Sequence, residues 1–163
     1  MIGIRLVGDA DRKIRVLATG VSDLRLFWPR LVPVVTGWWK RQFATEGAFG
    51  GRPWAPLTTP YALTKSRKAP GKPLLVFRSG IKRAAARPSR VQSPRSMVLT
   101  IDDADYPHGS KGVRNPILQY HQEGEGHNPA RPLVFGEPLP REAEAELIAT
   151  AETYLTDLLR RLG

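Results

Sequence analysis

Phe49-Gly-Gly-Arg-Pro-Trp54-Ala-Pro-Leu57 heads a stretch, Gly47 to Ile101, that contains no Asp or Glu. Eleven bases lie in it: Arg52, Lys65, Arg67, Lys68, Lys72, Arg78, Lys82, Arg83, Arg87, Arg90 and Arg95. The rest of the chain has fourteen bases and fifteen acids, so the formal charge of +10 originates here. Proline and glycine fix or free the backbone of the opening phrase, which predicts a loop that displays Trp54 and Leu57, with Tyr61 following. Residues 47–73 then form a basic, Gly/Pro-rich arm on a single domain covering 1–163. With little to bury locally, the arm is expected to be mobile in the free subunit and ordered by a partner.

Working outward, 163 residues with 41% hydrophobic content predict one globular domain with a real core. Fifteen glycines and fifteen prolines, clustered in 47–80 and 107–140, predict long loops. Without cysteine, disulfides and cysteine-based catalysis or metal binding are excluded. The opening Met1-Ile-Gly-Ile-Arg-Leu-Val is too short and too soon charged for a signal peptide, and no apolar run reaches bilayer length. A soluble protein made in a cytoplasm is the expectation. A pI near 10.5 favours anionic partners: nucleic acid, a membrane surface or an acidic protein face.

In chain order, alternation of Ile2, Ile4 and Leu6 predicts a short strand. Asp9 caps a helix over about 10–19 that Gly20 should end. Leu24, Phe27, Leu31, Val34, Trp38 and Phe43 mark the main N-terminal helix, with Pro29 in its first turn and a kink or late start at Pro33. Of Trp38 and Trp39, one should pack inward and the other lie at an edge or interface. Residues 58–71 read as loop with one helical turn at 61–65. A short helix follows over 78–86, stopped by Pro88, then a strand over 96–101. Asn115-Pro116 opens a helix to about Glu123, with Gly124 and Gly126 stopping it. Leu133-Val-Phe135 reads as a last strand. Pro140 starts a final helix whose core stripe is Leu147, Ile148, Ala151, Leu155, Leu158 and Leu162. The class is α+β: a small antiparallel sheet packed with a long N-terminal and a C-terminal helix, with extended loops.

The three histidines, His108, His121 and His127, could combine with Asp102, Asp103, Asp105, Glu123 and Glu125 as a metal or acid–base set. Their spacing matches no ligand pattern, and no P-loop, GxSxG or HExxH is present. No catalytic residue, metal or cofactor is assigned, and the chain does not read as an enzyme. The basic stretch has three readings. It is a nucleic-acid arm with stacking aromatics, a merely solvated loop, or an assembly arm that orders against acidic neighbours. The bias of eleven bases without one acid favours the third.

Four segments then resemble a known family. Phe43-x-x-Glu-Gly, Gly51-Arg-Pro-Trp54-Ala-Pro-Leu57-Thr, Tyr61 and Lys65 are similar to the opening signature of the virion morphogenesis or tail completion proteins of Mu-like phages. Leu75-x-x-x-Ser79-Gly80-Ile81 resembles the second motif. Ile117-Leu-Gln-Tyr120-His121-Gln122-x-Gly124 resembles the third, and Pro129-Ala-Arg131-Pro132-Leu-Val-Phe135 the fourth. They come in the family's order, before a terminal helix. The resemblance implies a structural virion protein at the head–tail junction: a tail completion or tail terminator ring that caps the tail tube and joins it to the neck. A neck adaptor or stopper ring is the alternative, and a basic nucleic-acid-binding module a further one. The implied partners are copies of itself (six for a tail-capping ring, twelve for portal-proximal neck rings), the tail tube protein and the neck or connector proteins. Passing contact with phage DNA is possible, and no membrane is involved. The implied location is the virion, reached from the host cytoplasm. In this reading Arg52, Trp54, Leu57, Tyr61, Lys65, Arg67, Lys68 and Lys72 form a subunit-interface arm. Ser79, Gly80, Tyr120, His121, Gln122, Arg131 and Pro132 are packing groups.

Overall fold

The computed structural model describes residues 9–76, 80–101, 117–124, 129–136 and 138–161, with residues 9–14, 117 and 120 described in backbone only. The elements are α1 (Asp9–Ser22), α2 (Trp28–Ala44), α3 (Thr59–Lys68), α4 (Gly80–Ala86), β1 (Ser89–Gln92), β2 (Met97–Thr100), α5 (Ile117–Glu123) and α6 (Arg141–Arg160). Single 3₁₀ turns at Leu24–Leu26 and Ala48–Gly50 flank α2. Helices against one two-stranded antiparallel sheet make an α+β fold, as the patterning predicts. The strand expected over Ile2–Leu6 lies outside the described residues.

Helix α2 contributes to two cores. Toward its C-terminal end Trp39 and Phe43 join Trp54, Leu75, Val76, Ile81, Ala85 and Leu133. At its start Trp28, with Phe27 just before the helix, meets Tyr154 and Leu158. The expected edge position for one tryptophan of the Trp38–Trp39 pair is therefore corrected: both are buried. Trp38 packs beside Phe135, with ring centroids 6.3 Å apart, and donates its indole N–H to Glu146 at 2.9 Å. Pro29 occupies the first turn, where its missing N–H is not needed, and Pro33 lies inside the helix. Only the Pro29 carbonyl loses a helical partner there, so the helix runs on.

Gly20 does not end α1, which continues to Ser22. The glycine instead permits a close approach: a Cβ at residue 20 would stand 2.7 Å from Leu158 Cδ1. The Tyr154 hydroxyl donates to the Gly20 carbonyl at 3.0 Å, joining α1 to α6. Ion pairs Arg30–Asp157, Arg41–Glu142 and Arg41–Glu146, each 2.6 Å, tie α2 to α6.

The buried side of α6 is rotated from the expected stripe. Ala143, Tyr154 and Leu158 are buried, whereas Ile148 and Leu155 are exposed. Tyr154 takes the inward position because its ring packs on Phe27, 5.3 Å between centroids, while its hydroxyl is satisfied. Leu162 lies outside the described residues. Leu155→Asp is consequently expected to stay folded, shifting stability by about 0.5 kcal/mol or less, as surface changes do. Urea unfolding followed by circular dichroism checks this, and an unfolded variant would return Leu155 to the core.

Strand β2 spans the region expected, and β1, not foreseen, pairs with it antiparallel in the register Arg90↔Leu99 and Val91↔Val98. Met97 and Leu99 point in toward the two cores. The hairpin tip is fastened by Trp28, whose indole N–H donates to the Ser93 carbonyl at 2.7 Å. Residues 133–135 form a bend rather than the expected strand, for a reason that belongs to the site below.

Candidate functional site

The opening phrase is a folded part of the body, not a displayed loop. Trp54 is 5% exposed and sits edge-on to Phe43, with ring centroids 5.8 Å apart. Glu46 and Gly47 make the turn that sends it inward, with φ of 47° and 94°. The Glu46 carbonyl accepts the Trp54 N–H at 2.7 Å, and the Glu46 carboxylate accepts the Leu74 N–H at 3.0 Å. A Cβ on residue 47 would come within 2.5 Å of the Trp54 ring, so this turn needs glycine twice over, for φ and for space.

Side-chain hydrogen bonds then bind the distant segments together. Trp54 Nε1 and Gln42 Nε2 both donate to the Pro132 carbonyl, at 3.0 and 2.9 Å. The Gln42 oxygen accepts the Gly50 N–H at 2.9 Å. Buried Arg131 returns the link: its Nε and Nη2 donate to the carbonyls of Ala55 and Pro56 at 2.8 and 2.9 Å. Gln122 Oε1 accepts the N–H groups of Leu133 and Val134, while Nε2 donates to the Val134 carbonyl at 2.7 Å. One glutamine thus supplies the bonds a neighbouring strand would, which is why 133–135 needs no strand partner. Gly124, at φ 78°, ends α5 as expected and lets the chain turn back against Ala130.

Lys65 is also taken inside. The ten-residue helix α3 replaces the expected loop with a single turn, and its Lys65, 5% exposed, reaches back to donate to the carbonyls of Pro73 and Leu74. Burial lowers its pKa below the ordinary lysine value; nearby Glu46 opposes this and Arg131 adds to it. Residues 47–73 are accordingly hydrogen-bonded to the body through 54, 55, 56 and 65, where a displayed loop was expected.

The interface set therefore divides. Trp54 and Lys65 are structural, Leu57 is half-buried, and Arg52, Tyr61, Arg67, Lys68 and Lys72 are exposed. Of the packing set, Gly80 and Arg131 are buried, and the Pro132 carbonyl is the shared acceptor. Ser79 and the Tyr120 side chain lie outside the described residues. Gln42 escaped the sequence reading, and Glu46 entered it only within the Phe43-x-x-Glu-Gly motif. A glutamine between Trp39 and Phe43 on an apolar helix face was the available signal for the first.

What remains at the surface is charge. Ten bases of the acid-free stretch have described side chains; nine are exposed, and none of these nine is in an ion pair. Among the described residues no cluster of His, Asp and Glu could hold a metal, and His108, His127, Asp102, Asp103, Asp105 and Glu125 lie outside them.

His121 donates no chemistry to this surface. Its carbonyl accepts the Arg131 N–H at 2.5 Å, and its Nδ1 is buried without a hydrogen-bond partner. Burial, then the Arg131 cation, lowers its pKa below the ordinary value of 6.5. A base with a depressed folded pKa binds fewer protons folded than unfolded, so stability falls as pH drops below 6.5 toward the folded value. His121→Leu is expected to flatten that part of the pH dependence. Urea midpoints across the acid range test it, and an unchanged slope would show that other groups set it.

Compared with known proteins, the chain matches no family model, no curated protein and no solved structure.

Proposed function

We propose that this chain is a structural subunit of a tailed-phage head–tail junction, a tail completion or terminator protein that assembles as a ring. The observation that carries the reading is the convergence of the four motif-like segments. Residues 43–57, 75–81, 117–124 and 129–135 resemble a family signature in order, and three of them are joined by the Trp54, Arg131 and Gln122 hydrogen bonds. The segment at 75–81 adds Leu75, Val76 and Ile81 to the same core. In this reading the motifs are structural cement, and their role is to hold a rigid basic surface for neighbouring subunits. Tyr61 and Leu63, 48% and 56% exposed, provide apolar contacts among the bases.

The nine unpaired bases also support the alternative of a nucleic-acid-binding module. Native mass measurement of the purified protein, at low and high salt and without DNA, separates the two. The expected result is a closed oligomer that high salt weakens in part, since the apolar contacts are not screened. A monomer that instead shows salt-dependent retention on DNA would replace the ring with the nucleic-acid module.

A further inference from the structure

Helix α4 carries the most one-sided part of the acid-free stretch. It turns Gly80, Ile81 and Ala85 into the core and leaves Lys82, Arg83 and Ala86 exposed. Exposed Arg87 follows directly, its N–H donating to the Ala84 carbonyl at 3.1 Å, so the helical turn carries on through it. Lys82 with Ala86 and Arg83 with Arg87 are neighbours four residues apart, in adjoining rows of one outward face. Arg90 joins them from β1. It stands across from Leu99, on the side of the sheet that Leu99 turns toward the core of Ile81 and Ala85. Val91 and Val98 occupy the other side. Arg90 is three residues beyond Arg87, a reach of about 11 Å at most.

No described ion pair engages any of the four bases. Helix α4 packs on α2 and β1 on β2, and none of these four elements contains an Asp or Glu. The negative end of the helix dipole gives Arg83 and Arg87 a structural use, but Lys82 and Arg90 have none of that kind. Asp102, Asp103 and Asp105 follow β2 outside the described residues.

We propose that Lys82, Arg83, Arg87 and Arg90 form a face that binds the phosphate backbone of nucleic acid without reading its sequence. What selects a phosphate backbone over an acidic protein is what the face lacks. Its exposed side chains include nothing apolar larger than Ala86, whereas protein interfaces are anchored by large apolar groups and are poor in lysine. Tyr61 and Leu63, the apolar groups offered to neighbouring subunits, belong to α3 instead. Three of the four bases are arginines, whose planar fork fits phosphate oxygens in pairs. Ala86 lies between the two rows and is small enough for a backbone to pass close. With no aromatic group on the face to stack on bases, the contact carries charge and no sequence information. The inference concerns one face of a subunit and goes beyond the ring reading: a ring and a monomer would present it alike.

Fluorescence anisotropy with short DNA duplexes of two unrelated sequences tests it over about 50–200 mM salt. The wild-type protein should bind both with affinities within about twofold. K82Q/R83Q/R87Q/R90Q should weaken binding at least ~tenfold and flatten the log–log salt slope by about 3–4, the loss of four phosphate contacts. R52Q/R67Q/K68Q/K72Q removes the same formal charge and should cost only about threefold, since those charges act on the bound backbone through screening solvent. All eight residues are exposed, and circular dichroism verifies each fold. R83Q/R87Q, a smaller change, should flatten the slope by about half as much. Equal losses from the two quadruple variants would make net charge responsible and not this face. Unchanged affinity in the α4 variant would mean that the aspartates after β2 or solvent already satisfy these bases. Polyglutamate that displaces the duplex as well as competitor DNA of equal charge would put an acidic protein in place of nucleic acid. Native mass without DNA reads the ring separately: an oligomer lost in the α4 variant, with duplex affinity kept, would give the face to neighbouring copies. Each of these four results overturns the proposal, as does a wild-type protein that binds no duplex, whereas a monomer that binds as expected removes only the ring.

Discussion

Trp54→Ala is expected to lower the free energy of unfolding by about 3–5 kcal/mol, the range for emptying a buried aromatic site. Three losses coincide. The ring leaves its edge-on contact with Phe43, the Pro132 carbonyl keeps only Gln42 as a donor, and the space beside Gly47 is vacated. Surrounding backbone cannot collapse into that space readily, because Pro53 and Pro56 restrict it on either side of the tryptophan. Urea unfolding at neutral pH measures the change. Trp54→Phe, which keeps a ring but removes the N–H donor, should cost about 1–2 kcal/mol. If Trp54→Ala unfolds at the wild-type midpoint, the ring is not the keystone of this core, and the phrase around it belongs to the surface after all.

The second large effect is expected from Arg131→Leu, at about 2–4 kcal/mol, since it leaves the Ala55 and Pro56 carbonyls without donors in a buried place. Relief from burying a charge offsets part of the loss. Arg131→Lys should rescue little: one ammonium on a flexible stem cannot hold the two carbonyls that the guanidinium spans as a fork. A double-mutant cycle with Trp54→Phe asks whether the two links act as a unit, as neighbours in one network do. Additive losses would mean that the segments are held independently. A fully stable Arg131→Lys would show that charge, rather than shape, is what the loop requires.

What the sequence disclosed and what it concealed follow from where the partners lie. Helices α2 and α6 and strand β2 were legible because periodicity and end signals are local. So was the acid-free run, which is a matter of composition. The burial of Trp54 was not, because its acceptor is 78 residues away and Pro and Gly beside it carry the same local signature in a displayed loop and in a packed turn. Lys65 reads as one base among eleven until the carbonyls of 73 and 74 are seen beside it. Residues 133–135 have strand composition, yet a side chain of α5 took the place of a strand. The stripe of α6 was placed too far round because the helix is apolar on two sides, and counting leucines cannot say which side meets α2. Tyr154, which the stripe omitted, was the indicator of the buried side.

The links that hold the basic segment also fix when it can fold. Arg131 meets residues 76 and 75 positions earlier, Gln42 meets one 90 positions later, and Tyr154 reaches back 134 positions to Gly20. During synthesis, the whole acid-free stretch is polymerised before any of these later residues exists. A nascent chain halted at residue 101 would hold every one of the eleven bases and the unpacked Trp54, with no Arg131, Pro132 or Tyr154 to close on. Contacts of such separation are also slow to form, because a long loop must close before they give any return. Folding of this chain is accordingly a late, concerted event that waits for its C-terminal third, and until then its most basic part is open to polyanions, the ribosome's own RNA nearest among them.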